Sequence, residues 1–173
     1  MNFQNMNNKL KIVISVGDES GIGPEIILKA LNSNEVPENV DFLLVCSKKN
    51  LQDTYRKLRS LGIENLTNPQ DLKIHDIEIS SSDNYSKSNY GNSSFYYLTK
   101  AIEIVKQYPN SALVTGPICK KSWSLAGHHF SGQTEVLAKS CGLKNVGMLF
   151  TAKSPITGWR FNTLLATTHI ALS

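Results

Sequence analysis

The chain has 173 residues, 40% of them hydrophobic and 18% charged, with a net charge of +4 when its four histidines are neutral. That composition belongs to a globular protein long enough to bury a real core, and excludes an intrinsically disordered chain. The small positive excess suits an anionic small-molecule substrate but does not point to nucleic acid, since no Lys/Arg block of five or more occurs.

No apolar run approaches the roughly 20 residues of a transmembrane helix, and the polar opening "MNFQNMNNKL" lacks the apolar core of a signal peptide. Cys46, Cys119 and Cys141 are odd in number, widely spaced and free of any CxxC, so they read as reduced thiols of a cytoplasmic protein.

Taken in chain order, strand and helix patterns alternate. Residues 1–10 read as a flexible N-terminus. "KLKIVISVG" is β-branched and bounded by glycine, a first strand. "GPEIILKALNS" has helical apolar spacing at Ile26, Ile27, Ala30 and Leu31. "NVDFLLVCS" is a second strand. "KKNLQDTYRKLRSLGI" is an amphipathic helix with Leu51, Tyr55, Leu58 and Leu61 on one face and a stop at Gly62. "LKIHDIEI" alternates as a half-buried strand. The aperiodic polar stretch Ser80–Ser94 reads as a long loop. "FYYLTKAIEIVKQYP" reads as a helix stopped by Pro109, and "SALVTGP" as a short buried strand. "ICKKSWSLAG" and "GQTEVLAKSCG" read as short helices ending at Gly127 and Gly142. "NVGMLFTA" and "RFNTLLATTH" read as strands paired across "KSPITGW". Such alternation predicts an α/β layered fold.

Four stretches hold residues suited to chemistry. In "GDESGIGPE" three glycines allow a tight turn and close approach to a ligand, Pro24 suits the first helical turn and Glu25 suits the helix dipole. The stretch is not GxGxxG, so it predicts no Rossmann pyrophosphate site, and a plain strand-to-helix turn explains it equally well. In "VTGPICKK" a strand ends at Thr115 and Pro117 is expected to start a helix, at a strand's carboxyl end where α/β sheets bind ligands. Lys120 and Lys121 oppose the dipole there; an anionic ligand or simple solvation accounts for them. "HHFSGQTE" reads as a helix start with Ser131 or Thr134 able to cap. "LLATTHIALS" reads as a buried strand running into His169, either a packed structural histidine or a ligand.

In this order the motifs resemble the 4-hydroxythreonine-4-phosphate dehydrogenase family (PdxA), whose forms are close to GDPxGIGPE, ALVTGPxxK, GHTExLA and xTTHxPL; here they stand as "GDESGIGPE", "ALVTGPICK", "SGQTEVLA" and "LLATTHIAL", with Gly91 also matching. The resemblance runs from Lys11 to Leu172 and implies an isocitrate/isopropylmalate dehydrogenase-like layered fold. By that resemblance residues 11–130 form the α/β N-terminal domain and residues 131–173 the start of a second, incomplete domain, about half of the family's chain.

The activity implied is oxidation of 4-phosphohydroxy-L-threonine with NAD or NADP to a 3-keto acid, then decarboxylation, in pyridoxal 5'-phosphate biosynthesis. A divalent metal (Zn, Mg or Co) held by three histidines would act as Lewis acid. His169 matches the first of them. Gln133 and Thr134 match substrate contacts, and Lys120 is a further substrate-binding candidate. A cytoplasmic homodimer with a site shared between subunits is implied, with the 173 residues inactive alone.

Four residues depart from the pattern: Gln133 replaces histidine, Glu19 proline, Cys119 asparagine and Ala171 proline. Gln133 cannot carry a proton near neutral pH. It therefore admits a related dehydrogenase for a phosphothreonate or phosphoerythronate. A non-catalytic remnant or binding protein is the reading of a different class.

Overall fold

The β-branched run that follows Lys9 folds as β1 (Leu10–Ser15) in a computed structural model that describes residues 9–77 and 86–166. β1 pairs in parallel with β2 (Val40–Cys46), in register from Leu10↔Val40 to Ser15↔Val45. The short β3 (Ile74–Asp76) lies beyond β2. On its other side β1 pairs in parallel with β4 (Ser111–Thr115), giving the order β3-β2-β1-β4. Successive residues of the inner strands are all buried: Val13 and Ile14 on β1, Leu44 and Val45 on β2. Side chains alternate between faces along a strand, so both faces are covered, as parallel sheets require.

The helices that cover them start where local chemistry says they should. α1 (Gly23–Ala30) opens with Pro24 in its first turn and buries Ile27 and Leu28. α2 (Lys48–Ser60) is capped by the Ser47 hydroxyl accepting from the Asn50 N–H, and the chain leaves it through Gly62 at φ +81°. Its buried residues are Leu51 and Leu58, but Leu61, expected on the same face, is 68% exposed because the helix has already ended at Ser60.

α3 (Lys87–Lys106) packs against β1, β2 and β4. It corrects the loop expected over Ser80–Ser94, since Lys87–Ser94 are helical. Ser86 caps the helix by accepting from the Asn89 N–H, and Gly91, Ser94, Leu98 and Ala101 form a buried stripe at helical spacing. Small residues that looked loop-like are small because another helix lies against them. That helix is α4 (Lys120–Leu125). The expected buried strand "SALVTGP" is also corrected: β4 is an edge of the sheet among the described residues, and Val114 is 47% exposed. The strand predicted over "LKIHDIEI" is described only as Ile74–Asp76, its later residues lying outside the described set.

The chain divides into two compact units, the first ending at Gly132 and the second beginning at Gln133. In the second, α5 (Gln133–Cys141) buries Val136, and β5 (Leu149–Lys153) pairs antiparallel with β6 (Arg160–Leu164). The hairpin is closed by the Ser154 N–H donating to the Trp159 carbonyl at 2.8 Å. The reading of Leu164 onward as a buried strand is corrected at its start: β6 ends at Leu164, which is 68% exposed. Thr167–Ser173, including His169, lie outside the described residues, as do residues 1–8.

Candidate functional site

Two loops meet at the carboxyl ends of β1 and β4. The central pairing continues past the strands, with the Gly116 N–H donating to the Ser15 carbonyl at 2.7 Å. Gly17 then turns at φ +82°, and a Cβ there would stand 2.3 Å from the Pro117 carbonyl oxygen. A side chain at position 17 would therefore be both strained and in collision with backbone. The absence of one lets the Asp18 N–H reach the same carbonyl at 2.9 Å, joining the two loops directly.

Asp18 is only 7% exposed. Its carboxylate accepts from the Ser20 N–H at 2.9 Å and the Ser20 hydroxyl at 2.7 Å, while its carbonyl accepts from the Gly21 N–H at 3.1 Å. This is an Asx turn, in which a short acid holds its own loop. Asp18 was not singled out from the sequence, although an acid following a turn glycine, with serine two places on, is the signal that would find it. Glu19, next along, is half-buried and accepts from the Tyr97 hydroxyl of α3 at 2.5 Å. Burial pushes its carboxyl above the usual range. Hydrogen bonds from Tyr97 and Ser93 pull it down by less, and the Asp18 carboxylate pushes it up further.

Across the loop pair, Pro117 does not start a helix as expected. Its carbonyl is taken by Asp18, and α4 begins at Lys120 after Cys119, whose side chain makes no cap. Hydrogen bonding by Ser122 holds the Cys119 thiol below its ordinary value, and the Asp18 carboxylate works against it. Lys120 is exposed at the head of α4. Beside these loops runs an open apolar groove of about 230 Å³ lined by Ile14, Ile26, Ala30, Leu31 and Val114.

Gln133 and Thr134 open α5 in the second unit, both half-buried. His128 stacks on Phe95 with ring centroids 3.8 Å apart, and its Nε2 lies 3.0 Å from Asn92 Oδ1. Burial, then repulsion from His129, holds it below the usual histidine range. Among the described residues no three His, Cys, Asp or Glu side chains stand together as a metal site. His75, His128 and His129 thus do not fit the implied metal, and His169 is outside the described residues.

The parallel sheet defines an α/β protein, and its two joined loops stand at the strand ends where such sheets bind ligands. The chain belongs to the PdxA family: the model of the family described as "Pyridoxal phosphate biosynthetic protein PdxA" matches residues 38–173. Proteins named 4-hydroxythreonine-4-phosphate dehydrogenase are 45% identical over 165 residues in Synechococcus sp. (strain RCC307) and 43% identical over 169 residues in Nostoc sp.. Each alignment covers 94% of this chain and 49% or 47% of the relative, so the chain spans about half the length of the curated relatives it matches. Crystal structures of 4-hydroxythreonine-4-phosphate dehydrogenases from Burkholderia phymatum and Klebsiella pneumoniae share the fold. Their TM-scores are 0.72 and 0.73 at 24% identity, over 94% and 95% of this chain and 51% and 52% of theirs.

Proposed function

We propose that these residues form half of a dehydrogenase that oxidises the secondary alcohol of 4-phosphohydroxy-L-threonine with NAD or NADP. The 3-keto acid so formed then loses carbon dioxide, on the route to pyridoxal 5'-phosphate. The observation that carries this reading is the family match over residues 38–173, together with relatives up to 45% identical that bear that enzyme's name. The isopropylmalate dehydrogenase-like layering, a cytoplasmic homodimer, and residues 11–130 and 131–173 as successive domains belong to the same proposal.

Within it, the exposed Lys120 meets an anionic substrate, and family resemblance makes Gln133 and Thr134 substrate contacts. His169 supplies one ligand to a divalent metal, Zn, Mg or Co, whose chemistry would be to polarise the alcohol oxygen.

The test is a fusion of residues 1–173 to the complementary half of the Synechococcus relative. It should reduce NAD or NADP in the presence of substrate and metal, whereas the 173 residues alone should not, since family resemblance gives them one of three metal histidines. A fusion that folds but turns over none of the substrate would overturn the reading. In the same fusion Lys120→Ala is expected to weaken phosphate-ester binding about tenfold, with stability changed by less than about 0.5 kcal/mol, because Lys120 is exposed. Unchanged affinity would remove Lys120 from the site.

A second substrate is favoured by two observations. Gln133 stands where the family pattern has histidine, and a relative from Oceanobacillus iheyensis, 30% identical, is provisionally named D-threonate 4-phosphate dehydrogenase. The ratio of kcat/KM on the two phosphorylated acids decides between them.

A further inference from the structure

The glycine-rich loop is held at one end by Asp18 and the Pro117 carbonyl, but nothing in that arrangement uses Glu19. Its side chain turns the other way, into the layer under α3. There its Oε1 lies 2.5 Å from the Tyr97 hydroxyl, and Tyr97 is 1% exposed. The surroundings are unusual for a carboxyl group. Asp18 adjoins it on the loop, Ser93 hydrogen-bonds it from α3, and the Cys46 thiol, 2% exposed, closes the end of β2. Asp76 on β3 acts on that thiol. Asp18, Tyr97, Cys46 and Asp76 are the acidic groups around this space, and each becomes an anion when it ionises.

A half-buried acid beside another acid is costly unless its hydrogen bonds repay the burial. The bond to Tyr97 spans 78 positions of sequence and ties the loop to the longest helix of the first unit.

We propose that Glu19 is a positioning residue for the glycine-rich loop: its hydrogen bond to Tyr97 fixes the loop against α3, and so fixes where Asp18 and Ser20 stand at the carboxyl ends of β1 and β4. The loop is thereby held from two directions, by the backbone bond to the β4 side and by the side-chain bonds that Glu19 accepts from Tyr97 and Ser93 on the α3 side. These side-chain bonds are also sensitive to protonation. Burial raises the Glu19 carboxyl, so the folded chain holds this proton more tightly than the unfolded one. The stability of the parent relative to the Glu19→Gln variant is therefore greatest at low pH. It is lost as pH rises from the ordinary glutamate range through the raised value.

The test is amide hydrogen exchange on the full chain. The reporters are the Asp18, Ser20 and Gly21 N–H groups, whose acceptors all lie in the loop or at Pro117. Tyr97→Phe is expected to speed exchange of these three amides about tenfold, the effect of one lost buried hydrogen bond, and Glu19→Ala, which also loses the bond from Ser93, by at least as much. Amides in β1 and β2 should not change. The double variant should be no faster than Glu19→Ala alone, and Glu19→Gln, which keeps a hydrogen-bonding side chain, should stay within about twofold of the parent. Glu19→Gln should also flatten the fall in stability with rising pH. Loop exchange unchanged in Glu19→Ala, or changed there but not in Tyr97→Phe, would overturn the proposal.

Discussion

Trp123→Ala is expected to lower stability by about 3–5 kcal/mol, the usual cost of emptying a buried tryptophan site. Trp123 is 0% exposed and is the largest fully buried side chain of the described residues. Its ring meets the edge of Phe95 at 5.3 Å, and its Nε1–H donates to the Ser94 hydroxyl at 2.8 Å. Ser94 in turn donates to the Gly91 carbonyl at 3.0 Å. Removing the indole thus opens a cavity and strands a buried hydroxyl's acceptor site, two costs that add. Against a typical total of about 5–15 kcal/mol, that is enough to unfold a marginal domain. Urea unfolding measures the loss. Fluorescence gives an independent check, because the other tryptophan, Trp159, is 64% exposed. The blue-shifted emission should come from Trp123 and vanish in the variant. A loss under about 1 kcal/mol would mean that α3 and α4 do not depend on this contact.

Gly91→Ala should cost about 3 kcal/mol for the opposite reason, too much volume instead of too little. A Cβ at position 91 would lie 2.0 Å from the Ser122 carbonyl oxygen, 2.3 Å from its carbon and 2.9 Å from the Trp123 nitrogen. All three are backbone atoms, so no rotamer change relieves the collision and α4 must move away from α3. Gly21→Ala is the control. Its nearest neighbour would be the Asp18 carbonyl oxygen at 3.5 Å, ordinary contact, so it should stay within about 0.5 kcal/mol. The urea midpoint should fall for Gly91→Ala with an unchanged slope. Because α4 begins at Lys120, this variant should weaken anion binding as well as stability, whereas Lys120→Ala should weaken binding only. Equal midpoints for Gly91→Ala and Gly21→Ala would show that α4 yields at no cost.

How much of this was legible in the sequence follows from what each residue answers to. β1, β2 and α2 were legible because their apolar periods and their Ser47 and Gly62 boundaries are local. The first turns of α3 were not. Ser88, Gly91, Ser93 and Ser94 look like a loop by composition, yet they lie in α3, where α4 leaves no room for a side chain at Gly91 and the Trp123 indole bonds Ser94. β4 was read as buried from its apolar run, yet Val114 stands at the sheet edge among the described residues. Pro117 looked like a helix start, and a partner 99 positions earlier in sequence, the Asp18 N–H, claims its carbonyl instead. The two loops of the site could be placed at strand ends by pattern, because such ends collect ligands. The Asp18 turn was local and could have been found. The Glu19–Tyr97 bond could not, since neither residue carries any sign of the other. His169 stood out at the end of an apolar run, but its choice as a metal ligand over a packed histidine came only through family resemblance, and it lies outside the described residues.

The register of the sheet also sets a schedule for making the protein. β1 sits between β2 and β4, and Lys11 pairs with Ser111. At ordinary elongation rates of about 5–20 residues per second, the strand that completes β1 is synthesised roughly 5–20 s after β1 itself. Until then one whole side of this central strand has its N–H and C=O groups open, and no local hairpin can shield it, because every pairing in this sheet is parallel. The nascent chain therefore spends those seconds open to chaperones or to another nascent copy, and slowing translation between β1 and β4 should lengthen that window, whereas slowing it after Thr115 should not.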